Sequence, residues 1–427
     1  MFSVFLANAL AARELHGDKG YSFGIYTLAT SIVATAAILA HFGLPRTVVR
    51  LVAEAVARDQ PGVAKGTIRT VNRLNVAGGV VIGAVLAFGG GEFLAHHVFS
   101  RSSKGLQLVM VMMAAWAAAE GIRFTASEAF RGLHDIRLAS VLGDACRSVL
   151  MASGFVVIAV SSHTTTLRVA VAVSLGASTI TMVLAMGFLW AKTREIKVRP
   201  RAVSTAMVIS IAIPLTLTDL TGMIVNSGDN FIVGVFRPAA DIGVYGAAGR
   251  LVTLLSLPLF VMNGVVAPLI SELWFKGKRQ QLETVLRGAT TLATIPCLAG
   301  LAVFVLAGRR VMQIVYRPEF GRGGHILAIL AVGVVFGVAA GSCNFALIMT
   351  GHHRIVAVVA GVTLVATVGG EIIGARIAGL TGIAVASSGA TVLQNLLLTV
   401  MARQRLGIWT QATLSPKKVR AFFALRD

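Results

Sequence analysis

Ionisable and amide side chains set inside apolar runs are the groups through which this sequence could act on a ligand. Asp219, Asn226, Asp229 and Asn230 interrupt the apolar stretch 203–236, and Arg250 and Asn263 interrupt the next one, 244–274. A charge at the centre of a bilayer costs roughly 2.5–3.5 kcal/mol on insertion scales, so such residues face a polar cavity or pair with one another. Asp229 stands about eight residues before the turn at 237–241 and Arg250 about nine after it, which sets both roughly 12–14 Å below that turn. Two readings stay open for them. They form an ion pair that hides both charges, or Arg250 offers its fixed fork of donors to an anionic ligand while Asp229 orients it. Asp219, Asn226 and Asp229 are spaced to lie near one helix face. Pro214 and Gly222 allow that helix to bend, while Pro258, Gly264 and Pro268 bracket Asn263 and point to an interrupted backbone there.

Arg147 is placed by arithmetic. Residues 149–161 make only about 20 Å of helix, too little for a hydrocarbon core of roughly 30 Å. The span must therefore begin near Leu138, with Arg147 inside it. Asp144, three residues earlier, is the expected local partner, and contact with substrate is the other reading. Glu120, Arg123 and Glu128 read as the interfacial end of the fourth span. Glu371 and Arg376, near the outer end of the eleventh, read as a tethering pair.

These residues need an apolar frame, and composition supplies it. The chain has 427 residues, 56% hydrophobic and 13% charged, with a mean hydropathy of +0.81; soluble domains carry about 25% charged residues. Continuous apolar runs near span length imply an all-α integral membrane protein and exclude a β-barrel, whose strands alternate. Spans are expected at 2–12 (partial), 21–42, 74–99, 106–124, 138–161, 167–191, 203–236, 244–274, 289–307, 326–350, 355–378 and 382–401. That is about twelve helices, the first apparently truncated. Loops on one side, with Arg147, hold 26 of the 38 Lys and Arg. By the positive-inside rule that side, with both termini, is cytoplasmic. The net charge of +20 is thus read as topology and contact with anionic lipids, not nucleic acid. Residues 50–73 and 272–287 read as amphipathic helices at that surface. Cys146, Cys297 and Cys343, far apart in apolar stretches, read as buried small hydrophobes.

Enzyme signatures are missing from the sequence. His96-His97 and His352-His353 have no carboxylates at ligand spacing, and no Walker loop, serine elbow or zinc motif occurs. Neither a metal nor a cofactor is expected, and no long extramembrane loop offers room for a glycosyltransferase site.

An internal repeat organises the spans. Gly24-Ile25-Tyr26 opens the second span and Gly243-Val244-Tyr245 the eighth, 219 residues later; the same offset maps Gly132 onto Gly351. Two six-helix halves, 1–200 and 201–427, follow. These residues also carry a family resemblance. ARELHGDKGYSFGIYTLATS, FGLPRTVVRLVAEAVARD and the block from Ser227 to Leu273, with Asp229, Pro238, Gly243, Tyr245, Arg250, Pro258 and Pro268 in order, resemble the polysaccharide-transport flippases of the multidrug/oligosaccharidyl-lipid/polysaccharide exporter superfamily. The resemblance implies two pseudo-symmetric six-helix lobes. It also implies transport of a polyprenyl-pyrophosphate-linked oligosaccharide, such as an O-antigen unit, across the inner membrane. A coupling ion and polysaccharide-assembly proteins are partners of that kind of transporter. Arg250, Asp229, Asn226, Arg147 and Asn263 are then the candidate substrate residues. A cation-coupled multidrug antiporter of the same superfamily is the alternative, favoured by the acidic members Asp219 and Asp229.

Overall fold

A computed structural model describes residues 2–15, 20–161 and 165–413, apart from the side chains of residues 2–4, 101, 225, 226, 265, 267, 268, 271 and 353. The chain divides into two compact units, Met1–Gly243 and Val244–Asp427.

The first unit contains α1 (Phe2–Glu14), α2 (Tyr21–His41), α3 (Leu44–Ala57), α4 (Pro61–Val85), α5 (Met110–Gly132), α6 (Cys146–Val160), α7 (Leu167–Glu195) and α8 (Thr205–Phe236). Helix α5 is its hub, packed by α2, α3, α4 and α7. Tyr26 of α2 reaches α7, its hydroxyl 2.8 Å from Ser174 Oγ, and meets Phe155 of α6 edge-on. The surface helix α3 buries Leu44, Val48, Leu51, Val52 and Ala55 and exposes Arg46, Arg50 and Val56. Its start fits Pro45, whose missing N–H is harmless in a first turn.

The amphipathic helix expected over 50–73 is in fact two elements. Asp59 takes a left-handed φ of 52°, which stops α3, and Pro61 restarts the chain as α4. Residues 61–73 are therefore the first turns of a helix that runs on through an apolar span. The fourth span also differs from expectation. Helix α5 continues eight residues past Phe124, so Glu120 and Arg123 lie in its interior and Glu128 one turn before its end.

Helix α9 (Ala239–Thr253) starts in the first unit, enters the second at Val244, and leads through a 3₁₀ turn, Leu254–Ser256, into α10 (Leu257–Phe275). The expected interruption thus falls just before Pro258, and Asn263 sits in continuous helix. Proline supplies no N–H to the preceding turn, and there the Leu255 carbonyl accepts from Cys297 Sγ at 2.7 Å. Helices α11 (Arg279–Val315), α12 (Gly324–Ala340), α13 (Cys343–Met349) and α14 (His353–Leu406) complete the unit. The expected basic amphipathic segment 272–287 is divided among α10, a turn and the first turns of α11.

Among the described residues nine helices are long and apolar enough to cross a membrane. One of them, α14, has 54 residues and turns at Gly379 (φ 60°), where its two arms fold back with Gly374 against Gly382. It accounts for two crossings. Adding α5, which its own charges disqualify by composition, and the short α1 gives the twelve expected.

Two contacts make the fold testable. A Cβ on Gly24 would lie 1.7 Å from the Ala239 carbonyl oxygen and one on Gly243 3.1 Å from Gly24 N, so Gly24 meets the Ala239 and Gly243 backbone at distances only glycine allows. Gly24→Val is expected to destabilise by about 1–3 kcal/mol or more through overpacking. Thermal unfolding of the purified protein should show this, while Gly176→Ala, with nothing within 4 Å of its new methyl, should not. The second contact is at the basic surface, where Asp135 caps the helix Ile136–Ser140 by accepting from Leu138 N at 3.2 Å, and Lys192 of α7 donates to its other oxygen. The Lys192 hydrogen bond, helped by that amide, holds the Asp135 carboxyl below its usual range. A carboxyl lowered in the folded state contributes stability above its unfolded value, about 3.9, and loses it as pH falls further. The stability gap between wild type and Lys192→Ala should be full near neutral pH and close below about pH 4.

Candidate functional site

A charge cluster is built on α5, where Glu120 and Arg123, three residues apart, share a face. Arg123 Nη2 and Nε donate to the two Glu120 oxygens at 2.5 and 3.2 Å, and Nη1 donates to the Leu142 carbonyl at 3.1 Å. Ser178 of α7 donates to Glu120 Oε2 at 2.9 Å and accepts from the Trp116 indole at 3.0 Å. Arg147 of α6 brings its Nε to 3.7 Å from Glu120 Oε1. The Arg123 side chain is 1% exposed, the largest fully buried side chain of those described. It lies about 14 Å from the C-terminal end of a helix about 34 Å long. One partly buried carboxylate therefore faces two guanidinium groups, and the exposed Asp144 carboxylate, 3.7 Å from Arg123, is the fourth charge of the cluster.

The expected pair of Asp144 with Arg147 is replaced. Asp144, 73% exposed, lies 3.7 Å from Arg123, and Arg147 turns to Glu120. A π-turn at Val141–Ala145 is the cause. More residues per turn rotate Asp144 away from the face it would share with Arg147 in a regular helix, and the same turn presents the Leu142 carbonyl to Arg123.

Helix α8 carries a second polar line. Asp219 pairs with Arg46 of α3 at 2.8 Å, Met223 Sδ accepts from Thr35 at 3.4 Å, and Asn230 donates to Ser31 Oγ at 3.2 Å. Those three recur on one face toward α2 and α3. Asp229 is ten residues from Asp219, about 80° further round the helix, and is half-buried. Asn226 belongs to α8, but its side chain lies outside the described residues.

In the second unit Arg250 is half-buried on α9, and Asn263 of α10 accepts from the Ser342 hydroxyl, in the break between α12 and α13. Glu371 is buried while Arg376 is exposed. Five residues put side chains about 140° apart on a helix, so the two lie on different faces.

Sequence reasoning missed Arg46, Ser178 and Trp116 as members of these clusters. Arg46 was visible as a cation beside Pro45, but its partner comes from a helix 170 residues away. Ser178 and Trp116 carry no signal until α5 and α7 are packed.

The sequence profile of a family described as polysaccharide biosynthesis protein matches residues 5–274. The chain belongs to that family. A stretch of 106 residues is 30% identical to the probable low-salt glycan biosynthesis flippase Agl15 of Haloferax volcanii, covering 24% of this chain and 22% of that relative. The match thus spans about a fifth of the relative's length. Two solved structures are similar in fold. One is an inward-facing multidrug resistance MATE family transporter of the MOP superfamily, at TM-score 0.77 and 15% identity over 95% of both chains. The other is the lipid II flippase MurJ in an inward closed conformation, at TM-score 0.68 and 12% identity over 99% of this chain and 88% of that one. The fold of this polysaccharide biosynthesis family member is therefore that of the superfamily's helical membrane transporters, about twelve helices in two lobes, as the sequence resemblance implied.

Removing either partner of the central pair is expected to strand a buried charge. Arg123→Leu should cost about 3–5 kcal/mol, read by thermal unfolding. Glu120→Gln, which leaves two guanidinium groups without their carboxylate, should be comparably destabilised, and Arg123→Leu combined with Glu120→Leu should recover part of the loss.

Proposed function

We propose that the protein is a flippase that moves a polyprenyl-pyrophosphate-linked oligosaccharide across the inner membrane for surface polysaccharide assembly, by alternating access. The observation that carries this reading is membership of the polysaccharide biosynthesis family across residues 5–274, and the flippase relative supports it. The Glu120 cluster is consistent with it. Arg123 takes the close hydrogen bonds of the carboxylate, and Arg147 is held only at 3.7 Å, a guanidinium group that an anion could recruit. In this reading Arg250 and Arg147 attract the pyrophosphate, Asp229 orients Arg250, and Asn226 and Asn263 offer amides to the sugar. The polyprenyl tail stays in lipid. Halves 1–200 and 201–427 act as the two rocking lobes, with Gly24 and Gly243 at equivalent places in each. Both termini are cytoplasmic. The protein carries substrate rather than transforming it, with anionic lipids, a coupling ion and polysaccharide-assembly proteins as its partners.

A cation-coupled multidrug antiporter is the second reading, favoured by the likeness to the MATE transporter fold. Proteoliposomes separate the two. The wild type is expected to flip a fluorescent lipid-linked diphosphate sugar and to move no cationic drug under an imposed proton or sodium gradient. Arg147→Ala and Arg250→Ala should each lower flipping about tenfold or more, the worth of a charge-assisted hydrogen bond. Full flipping by both variants at wild-type membrane levels would remove the guanidinium groups from the mechanism, and gradient-driven drug efflux would decide for the antiporter.

A further inference from the structure

A cavity of about 630 Å³ opens between the first turns of α4 and the last turns of α7. It lies away from the Glu120 cluster and uses none of its residues. From α4, Lys65, Arg69 and Arg73 line it at four-residue spacing, one helix face. From α7 come Trp190 and Arg194, and the Arg194 guanidinium stacks on the indole 3.6 Å from the ring centre. Behind these cations the lining becomes apolar, with Val76 on one helix and Met186 on the other. No Asp or Glu is among the lining residues.

The chain after α7 closes the charged end. Lys65 Nζ donates to the Ile196 carbonyl at 2.9 Å, and Arg201 N donates to the Gly62 carbonyl at 2.8 Å. The groove is thus braced from both helices rather than formed by loose surface side chains. From Lys65 to Val76 it runs about 16 Å along α4, about half the roughly 30 Å thickness of a hydrocarbon core. Along that length Trp190 stands level with the middle of the basic row, about 6 Å past Arg194, and Met186 and Val76 lie at the far end beside Arg73. A row of basic side chains with an indole among them and an aliphatic end is the pattern of a site at the headgroup level of a leaflet.

We infer that this groove binds the phosphate headgroup of an anionic phospholipid of the basic-side leaflet. Arg69, Arg73 and Arg194 hold the phosphate, Trp190 lies at the glycerol level, and one acyl chain leaves past Val76 and Met186. A soluble phosphate compound would satisfy the cations and leave the apolar half unfilled, whereas a zwitterionic lipid would bring its own cation against three guanidinium groups. The inference does not depend on what the protein transports.

Trp190 is its own reporter. The full chain is reconstituted in bilayers containing dibrominated phosphatidylglycerol or dibrominated phosphatidylcholine at equal mole fraction, and the Trp190 signal is taken as the difference between wild type and Trp190→Phe. Quenching should be several-fold stronger with the anionic lipid. Combining R69Q, R73Q and R194Q should weaken the apparent affinity for it about tenfold or more, since each surface cation is worth about 1 kcal/mol toward anionic lipid. Should the triple variant fail to fold, R73Q alone must lower the ratio of anionic to zwitterionic quenching. Equal quenching by the two lipids would overturn the inference. So would full relief of quenching by millimolar inorganic pyrophosphate, which would make the groove a site for soluble phosphates.

Discussion

A guanidinium group held away from both water and lipid must be matched, and Arg123 meets that demand through three helices at once. Its own helix supplies Glu120, the π-turn before α6 supplies the Leu142 carbonyl, and α7 steadies the carboxylate through Ser178. An unpaired buried ion costs several kcal/mol even after relaxation, so none of those elements can shift without exposing the charge. This explains why the most charged span, α5, is also the hub of the first unit. In lipid there is no hydrophobic drive between helices, and hydrogen bonds and close packing take its place. Gly24 against Ala239 and Gly374 against Gly382 serve the packing half of that requirement.

The crossings were legible in the sequence because bilayer thickness imposes a length on every apolar run. The helical hairpin at Gly379 was legible for a further reason, since its two apolar runs were separated by a short gap at a glycine. What length could not reveal was where helices continue beyond the slab. Helix α5 runs on past Phe124, and the N-terminal turns of α4 and α11 are polar on one side. In such stretches charge no longer marks an end, because a basic residue is as acceptable in a helix at the interface as in a loop. The division at Gly243 also differs from the expected boundary near residue 200, because α8 packs on α2 and α3.

Depth was likewise readable for the site, and partnership was not. Counting residues placed Arg147 inside a span, and it lies in the candidate span Ile136–Val160. Its partner was misread because i,i+3 reasoning assumes 3.6 residues per turn, and a π-turn intervenes. The same limit applies to Glu371 and Arg376, whose separation along the chain places one buried and the other exposed. Asp219 and Arg46 show the complementary case: each was visible alone, and only the packing of α8 on α3 joins them.

The fold itself does not choose between substrates, since one scaffold hosts many functions and the likeness here extends to transporters described as multidrug pumps and as lipid flippases alike. Charge balance can choose. A cavity for organic cations gains from carboxylates that stay unmatched. In the first unit Asp219 is matched by Arg46, and Glu120 is shared between two guanidinium groups. A cation brought beside such a carboxylate must compete with guanidinium groups already in place, whereas an anion can take up the more loosely held of them. Arg147 is the member of that cluster with the weaker hold, 3.7 Å from the carboxylate and with its Nε making no hydrogen bond. It is therefore the group whose reorientation toward a pyrophosphate would disturb the fold least, while Arg123 keeps the helices together.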